Sequence, residues 1–94
     1  MSINQYHPFD LVLLKRKSVE AITGYSRSTI YQKISEGEFP PPVAIGSKSV
    51  AWPKSEIMAI NAARIAGKSN TEIRVLVKSL TEKRVHATAG GSHA

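Results

Sequence analysis

Three consecutive prolines, at positions 40–42, limit the helices that the first half of this 94-residue chain can form. Proline lacks a backbone N–H and clashes with the preceding helical turn, so a helix that reaches this run has to end. Gly24 and Gly37 lie upstream, and glycine readily adopts the left-handed conformation that terminates helices. The pattern therefore predicts two short helices separated by a tight turn, after which the chain leaves in an extended path.

The two short segments have the sequence form of a helix-turn-helix. Val19 and Ile22 are three residues apart, which places both on one face of a helix that ends at Gly24. Ser26 lies where a side-chain oxygen can accept a hydrogen bond from a first-turn amide of the next helix. A helix, a three-residue turn that contains glycine and a second helix together indicate a helix-turn-helix.

The outer face of the second helix suits a DNA groove. If Ile30 and Ile34 face inward, steps of about 100° per residue place Ser28 and Gln32 nearly opposite. A short polar face brings the first turns of a helix close to base edges in the major groove, where glutamine can pair with adenine. Arg27 leans toward the core side, which favours a phosphate contact. The same pattern also describes an ordinary surface helix, so both interpretations stay open on this helix alone.

Alternating apolar residues after the prolines predict a β-hairpin. Val43 and Ile45 alternate before a loop at residues 46–49, and Val50 and Trp52 alternate after it. A hairpin that follows a helix-turn-helix is typical of a wing, with Lys48 and small residues along a phosphate backbone or minor groove. The loop sequence GSKS is equally that of a simple polar turn.

The remaining segments are assigned by similar signals. The apolar run at residues 11–14 is compatible with a brief strand or with a lead-in to the first helix. Pro53 suits the first position of a mostly apolar third helix that ends near Gly67. The predicted organisation is a flexible arm at 1–9, a winged helix-turn-helix domain at 10–67, an amphipathic helix at 68–84 and a disordered tail at 85–94.

The predicted fourth helix carries an apolar face that has to be buried. Ser69 and Glu72 form a capping box at its start. The face either packs on its own domain or pairs with a second copy of the chain, and in both cases Arg74 and Lys78 are expected to point outward. The stripe consists of Ile73, Leu76, Val77 and Leu80.

Composition favours a binding domain with a polyanionic partner. The chain has 13 Lys and Arg against 7 Asp and Glu, a formal net charge of +6, and such a balance favours a polyanionic partner such as nucleic acid or an anionic membrane face. It has no cysteine, hence no disulfide framework. No window approaches the roughly 20 apolar residues of a membrane span, so no membrane contact is expected. We expect a cytoplasmic, nucleoid-associated protein.

Signatures of catalysis are missing from the sequence. His7, His86 and His93 have no partner at metal-ligand spacing, so neither a metal nor another cofactor is expected. Glu36 and Glu38 flank Gly37 at a helix exit and are interpreted as solvated charges. We therefore do not expect an enzyme.

A combination of short motifs identifies a family. The motifs are the apolar lead LLKR at 13–16, the block TG followed by SRSTIY at 23–31, the exits EG and FP at 36–40, and Trp52 followed by SEI at 55–57. At these intervals, residues 11–65 resemble the AlpA family of prophage and genomic-island regulators, which are related to phage excisionases and to MerR-like winged-helix domains. Ala51 and Ile60 depart from the family pattern, which commonly has glycine and a second tryptophan at these positions.

The resemblance implies sequence-specific binding of double-stranded DNA, with control of integrase expression or a role as a directionality factor in excision. Integrase or RNA polymerase would then be protein partners. The alternative is an adaptor that uses the winged fold and the fourth helix to bind another regulator. The implied recognition-helix residues are Arg27, Ser28, Thr29, Tyr31, Gln32 and Lys33, and the wing and backbone contacts are Ser47, Lys48 and Ser49 with Arg16 and Lys17.

Overall fold

The computed structural model describes residues 11–92, and the side chains of residues 11–85 within them. The described part is mainly helical with one small antiparallel sheet, which confirms the predicted winged helix-turn-helix with an additional C-terminal helix. The elements are β1 (Leu13–Leu14), α1 (Arg16–Thr23), α2 (Arg27–Ser35), β2 (Val43–Ala44), β3 (Val50–Pro53), α3 (Lys54–Ile65) and α4 (Asn70–Ser92).

The sheet has three strands in the order β1-β3-β2, one more than the predicted hairpin. Val43 pairs with Ala51 in the hairpin, and the amide of Ile45 donates to the carbonyl of Ser49 at 2.9 Å to close the wing loop. The run at residues 11–14 forms the third strand, because Leu14 pairs with Trp52 across the sheet. Of the two alternatives for this run, the strand is therefore the one adopted.

Both ends of the helix-turn-helix agree with the sequence signals. Gly24 is the C-cap of α1 and Gly37 follows the end of α2. Both are in the left-handed conformation, with φ of 79° and 77°. Val19 of α1 is fully buried, while Ile22 on the same helix is 36% exposed. Pro53 also lies one residue earlier than predicted, in extended conformation before the first residue of α3.

The core lies between the helices and one face of the sheet. Trp52 is fully buried, and its indole N–H donates to the carbonyl of Pro40 at 2.9 Å. This bond holds the extended proline segment against the domain. The buried side chains of the core cluster are Val19, Ile30, Phe39, Trp52, Ile57, Ile60, Ile73 and Val77.

The fourth helix packs on its own domain. Ile73 is fully buried and Val77 is 7% exposed in the same cluster as Trp52. Leu76 and Leu80 pack against that cluster as half-buried residues. Of the two alternatives left open by the sequence, packing of the stripe on its own domain is therefore the one observed, and self-association through it stays a prediction.

The start of α4 has the predicted capping box. The amide of Ser69 donates to Glu72 Oε1 at 2.8 Å, and the amide of Glu72 donates to Ser69 Oγ at 3.1 Å. Hydrogen bonds from the backbone and then the hydroxyl of Ser69 lower the pKa of the Glu72 carboxyl. The helix continues to Ser92, so the predicted boundary at residue 84 lies inside it. The predicted arm at 1–9 lies outside the described residues.

None of the helices in residues 11–92 combines the length and the apolar character needed to cross a membrane.

Because α4 contributes buried side chains to the only core cluster found among the described residues, truncating one of them should destabilise the whole domain. Ile73→Ala is expected to lower the free energy of unfolding by about 2–5 kcal/mol. Val75→Ala, on the same helix at a side chain 66% exposed, is the control and should change it by less than about 0.5 kcal/mol. Urea denaturation followed by circular dichroism measures both; equal effects would contradict the packing of α4.

Candidate nucleic-acid interface

The first turn of α2 is organised by Ser26. Its backbone is extended, and its Oγ accepts a hydrogen bond from the amide of Thr29 at 3.2 Å, which confirms the predicted N-cap. The hydroxyl of Ser26 also donates to Thr29 Oγ1 at 2.9 Å and lies 3.4 Å from the hydroxyl of Ser28. Three small hydroxyl groups thus lie together where the positive end of the helix dipole favours an anion.

The outward face of α2 is polar and partly uncommitted. Arg27, Ser28 and Gln32 are exposed. No acidic residue lies in the first turn, and among the described residues Arg27 has no side-chain partner. Gln32 Nε2 donates to Glu36 Oε2 at 3.3 Å. A long hydrogen bond at an exposed site is weak, so Gln32 can exchange it for another partner at little cost.

The other predicted members of this helix lie at its sides. Thr29 is half-buried beside the cap. Tyr31 is 40% exposed, and its ring packs edge-on against Trp52 with 6.3 Å between ring centroids. Lys33 turns inward: its Nζ lies 3.7 Å from Glu38 Oε1 and 5.4 Å from the ring centroid of Tyr25. Lys33 is therefore turned toward the domain, whereas Arg27, Ser28 and Gln32 are exposed to solvent.

A second cationic surface forms where α1 begins beside the wing. A shallow concavity of about 280 Å³ lies between these segments. Arg16 in its wall is held by Glu20 at 2.9 Å, whereas Lys17 and Lys48 have no ion-pair partner among the described residues. The concavity is lined by Lys15, Arg16, Lys17, Lys48, Ser49 and Val50.

This concavity unites most of the predicted backbone contacts and adds one. Four of the five predicted wing and backbone residues line it, and Ser47 does not. Lys15 was missed, although it stands in the run Lys15-Arg16-Lys17 directly before α1. Its position directly before α1, next to two residues already assigned to the backbone contacts, was the signal in the sequence that could have identified it. A group of cations around a shallow concavity is suited to phosphate oxygens rather than to base edges.

One sequence interpretation is wrong. Glu38 is 6% exposed, not a solvated charge, and its carboxylate lies among cations from three helices. Arg74 is correspondingly not simply outward, because its Nη1 donates to Glu38 Oε2 at 2.8 Å. Glu36, in contrast, is exposed as predicted.

Comparison with known proteins identifies similar sequences. A family model described as the prophage CP4-57 regulatory protein (AlpA) matches residues 12–65. The uncharacterized protein ORF88 of Enterobacteria phage P4 is 53% identical to this chain over 55 residues. That alignment covers 58% of this chain and 62% of the phage protein, so less than two thirds of the relative's length is matched. No solved structure matches the chain.

The family match ends where α3 ends. It runs from the residue before β1 to Ile65 and leaves α4 outside. The matched residues are those whose motifs carry the resemblance described above. The helix-turn-helix and the wing therefore lie within the family pattern, while the helix that completes the core of this chain does not.

The cap at Ser26 should control the stability of α2. Ser26→Ala removes the oxygen that accepts the hydrogen bond from the Thr29 amide. It is expected to lower the free energy of unfolding by about 1 kcal/mol. Ser26→Asp keeps an acceptor at the same position and is the matched control. Urea denaturation measures the free energy of unfolding, and exchange of the first-turn amides measures fraying. An alanine variant as stable as the aspartate variant would argue against the cap.

Proposed function

Because the chain belongs to the AlpA family of prophage regulatory proteins, we propose that it regulates a prophage or genomic island by binding duplex DNA at specific sequences. The observation that supports this most directly is the division of its basic groups. Arg27 on α2 and the lysines around the concavity are without ion-pair partners among the described residues. Cations held together without counter-charges favour a polyanion.

In the proposed complex, α2 lies in the major groove with its first turns against base edges. Gln32 pairs with an adenine through two hydrogen bonds once it has left Glu36. Ser28 and Arg27 contact phosphates or base edges at the groove entrance, and Tyr31 lines the side of the helix. These contacts determine sequence preference, because only base edges distinguish one site from another.

The concavity between α1 and the wing binds the phosphate backbone beside the groove. Lys15, Lys17 and Lys48 supply the charge, and the small side chains of Ser47 and Ser49 let the wing approach closely. These contacts supply affinity and position without sequence preference, since every nucleotide carries the same phosphate.

The regulated process that we propose is expression of an integrase, excision of the integrated element, or both. In either case the DNA complex would act through integrase or RNA polymerase. The adaptor alternative required the apolar face of α4 as a protein-binding surface. Ile73 and Val77 of that face are buried in the domain core, and Leu76 and Leu80 are half-buried against it, so DNA binding is the function that we retain.

Titration of the protein with DNA fragments tests this proposal. The fragments are the attachment region of the element, the integrase promoter and an unrelated sequence of equal length, each with competitor DNA at two salt concentrations. Tight binding to the attachment region that competitor does not displace indicates excision, and binding confined to the promoter indicates control of expression. Weak binding that is equal on all fragments would refute sequence-specific function.

Substitutions should separate the two surfaces. Gln32→Ala is expected to reduce discrimination by about 1–3 kcal/mol at one base position, because it removes a base-edge contact. Lys48→Ala should weaken binding to all DNA sequences alike. It should also lower the slope of log affinity against log salt concentration by about 1.

The control is Lys78→Ala, which removes the same charge from an exposed site on α4. The affinity of each protein variant is measured for a set of DNA sites that differ from the preferred site by one base, at several salt concentrations. These measurements give the discrimination between bases and the salt slope. Loss of discrimination in Lys48→Ala as large as that in Gln32→Ala would refute the assignment of α2 to bases and the wing to phosphates.

A further inference from the structure

Glu38 is a buried carboxylate at the point where the chain leaves α2. It follows Gly37, and only 8% of its side chain is exposed. A charge in such a place is strongly destabilising unless other groups compensate it. Its amide donates to the carbonyl of Lys33 at 2.9 Å, so the residue is fixed to the last turn of α2 by its backbone as well.

Three cations from three different helices compensate Glu38. Lys33 of α2 and Arg64 of α3 each approach Oε1 at 3.7 Å. Arg74 of α4 makes the closest contact, with its Nη1 donating to Oε2 at 2.8 Å. The shortest and best-directed bond to the carboxylate therefore comes from the helix that lies outside the family match.

Arg64 depends on the same carboxylate. Its Nε and Nη2 are buried and have no hydrogen-bond partner, so the charge of Glu38 is what offsets their burial. Its Nη1 donates to Asn70 Oδ1 at 2.8 Å, which connects α3 to the first residue of α4. Glu38, Arg64 and Arg74 thus form one ion cluster that joins the end of α2 to α3 and α4.

The recognition helix has few other anchors. Ile30 is the only fully buried side chain of α2, Ile34 is half-buried, and the ring of Tyr31 packs edge-on against Trp52. Nine residues span about 13 Å, so a tilt of about 5° at the Glu38 end moves the opposite end by about 1 Å. A displacement of that size is enough to break a paired hydrogen bond to a base edge, whose donor-acceptor distance varies by only about 0.5 Å.

We infer that Glu38 and Arg74 are positioning residues for sequence recognition: α4 holds α2 at the angle that base contacts require, through a carboxylate that touches no DNA. The inference rests on the proposed function, because it concerns how the same helix discriminates between sequences. It adds that sequence discrimination by α2 depends on α4. The apolar face of α4 by itself would contribute only to the stability of the domain.

Arg74→Met is the first test, with Lys78→Met as its control. Both remove one positive charge from exposed positions four residues apart on α4, but Lys78 has no side-chain partner among the described residues. Arg74→Met is expected to lower the ratio of specific to nonspecific affinity roughly 5- to 20-fold. Lys78→Met should leave that ratio unchanged. Equal ratios in the two variants would overturn the inference.

Two conservative variants separate positioning from general loss of stability. Arg74→Lys keeps the charge and should recover part of the ratio, whereas Glu38→Gln keeps the shape and should lower it as Arg74→Met does. The affinities are compared at a temperature at which circular dichroism gives each variant the helix content of the unaltered protein. If Arg74→Met fails to fold, Glu38→Gln and Arg74→Lys decide the question in the same way.

Amide exchange of the protein without DNA provides a readout that does not depend on the proposed function. The amides of Glu36, Gly37 and Glu38 bond to carbonyls of the last turn of α2. They should exchange faster in Arg74→Met and Glu38→Gln, and at the original rate in Lys78→Met. Unchanged exchange in both variants would overturn the inference. If the unaltered protein binds all DNA alike and these amides still exchange faster in the two variants, the proposed function is refuted, while the attachment of α2 to α4 through Glu38 stands.

Discussion

The burial of Trp52 is the interaction on which most of this structure depends. Its indole removes roughly 200 Å² from water, which corresponds to a gross gain of about 5 kcal/mol. Its N–H donates to Pro40, so the buried polar group is satisfied and the proline segment is fixed by the same residue. Leu14 pairs with Trp52 across the sheet, and Tyr31 of α2 packs on its ring edge. Strand β1, the proline segment and one side of α2 thus all contact the same residue.

A chain of this length has little core to share among its elements. The winged part alone would leave one side of that core uncovered, and α4 covers it with Ile73 and Val77. Polar contacts extend the attachment: Arg84 binds both oxygens of the buried Glu56 at 2.6 and 2.8 Å and also the carbonyl of Pro41. Arg74, near the start of α4, and Arg84, ten residues later, therefore both attach this helix to the rest of the domain.

The basic residues divide into two groups with different chemistry. The cations that face buried carboxylates from α3 and α4 are arginines, whose planar fork matches a carboxylate and gives direction to the bond. The groups proposed to face phosphate around the concavity are lysines, namely Lys15, Lys17 and Lys48, and they have no ion-pair partner in the described part of the chain. The net charge of +6 does not distinguish these groups, although only one of them is available to a polyanion.

The sequence by itself determined the features that depend on a few neighbouring residues. The glycine stops, the Ser26 cap, the capping box of Ser69 and Glu72 and the alternation of the hairpin are local, because each involves residues at most about four positions apart or a fixed period. Tertiary structure alone decided the pairing of β1 with β3, the inward turn of Lys33 and the burial of Glu38. Arg74 lies 36 residues from Glu38, and no local pattern specifies which charge will meet which across that distance; only the packing of α4 on the core brings the two together.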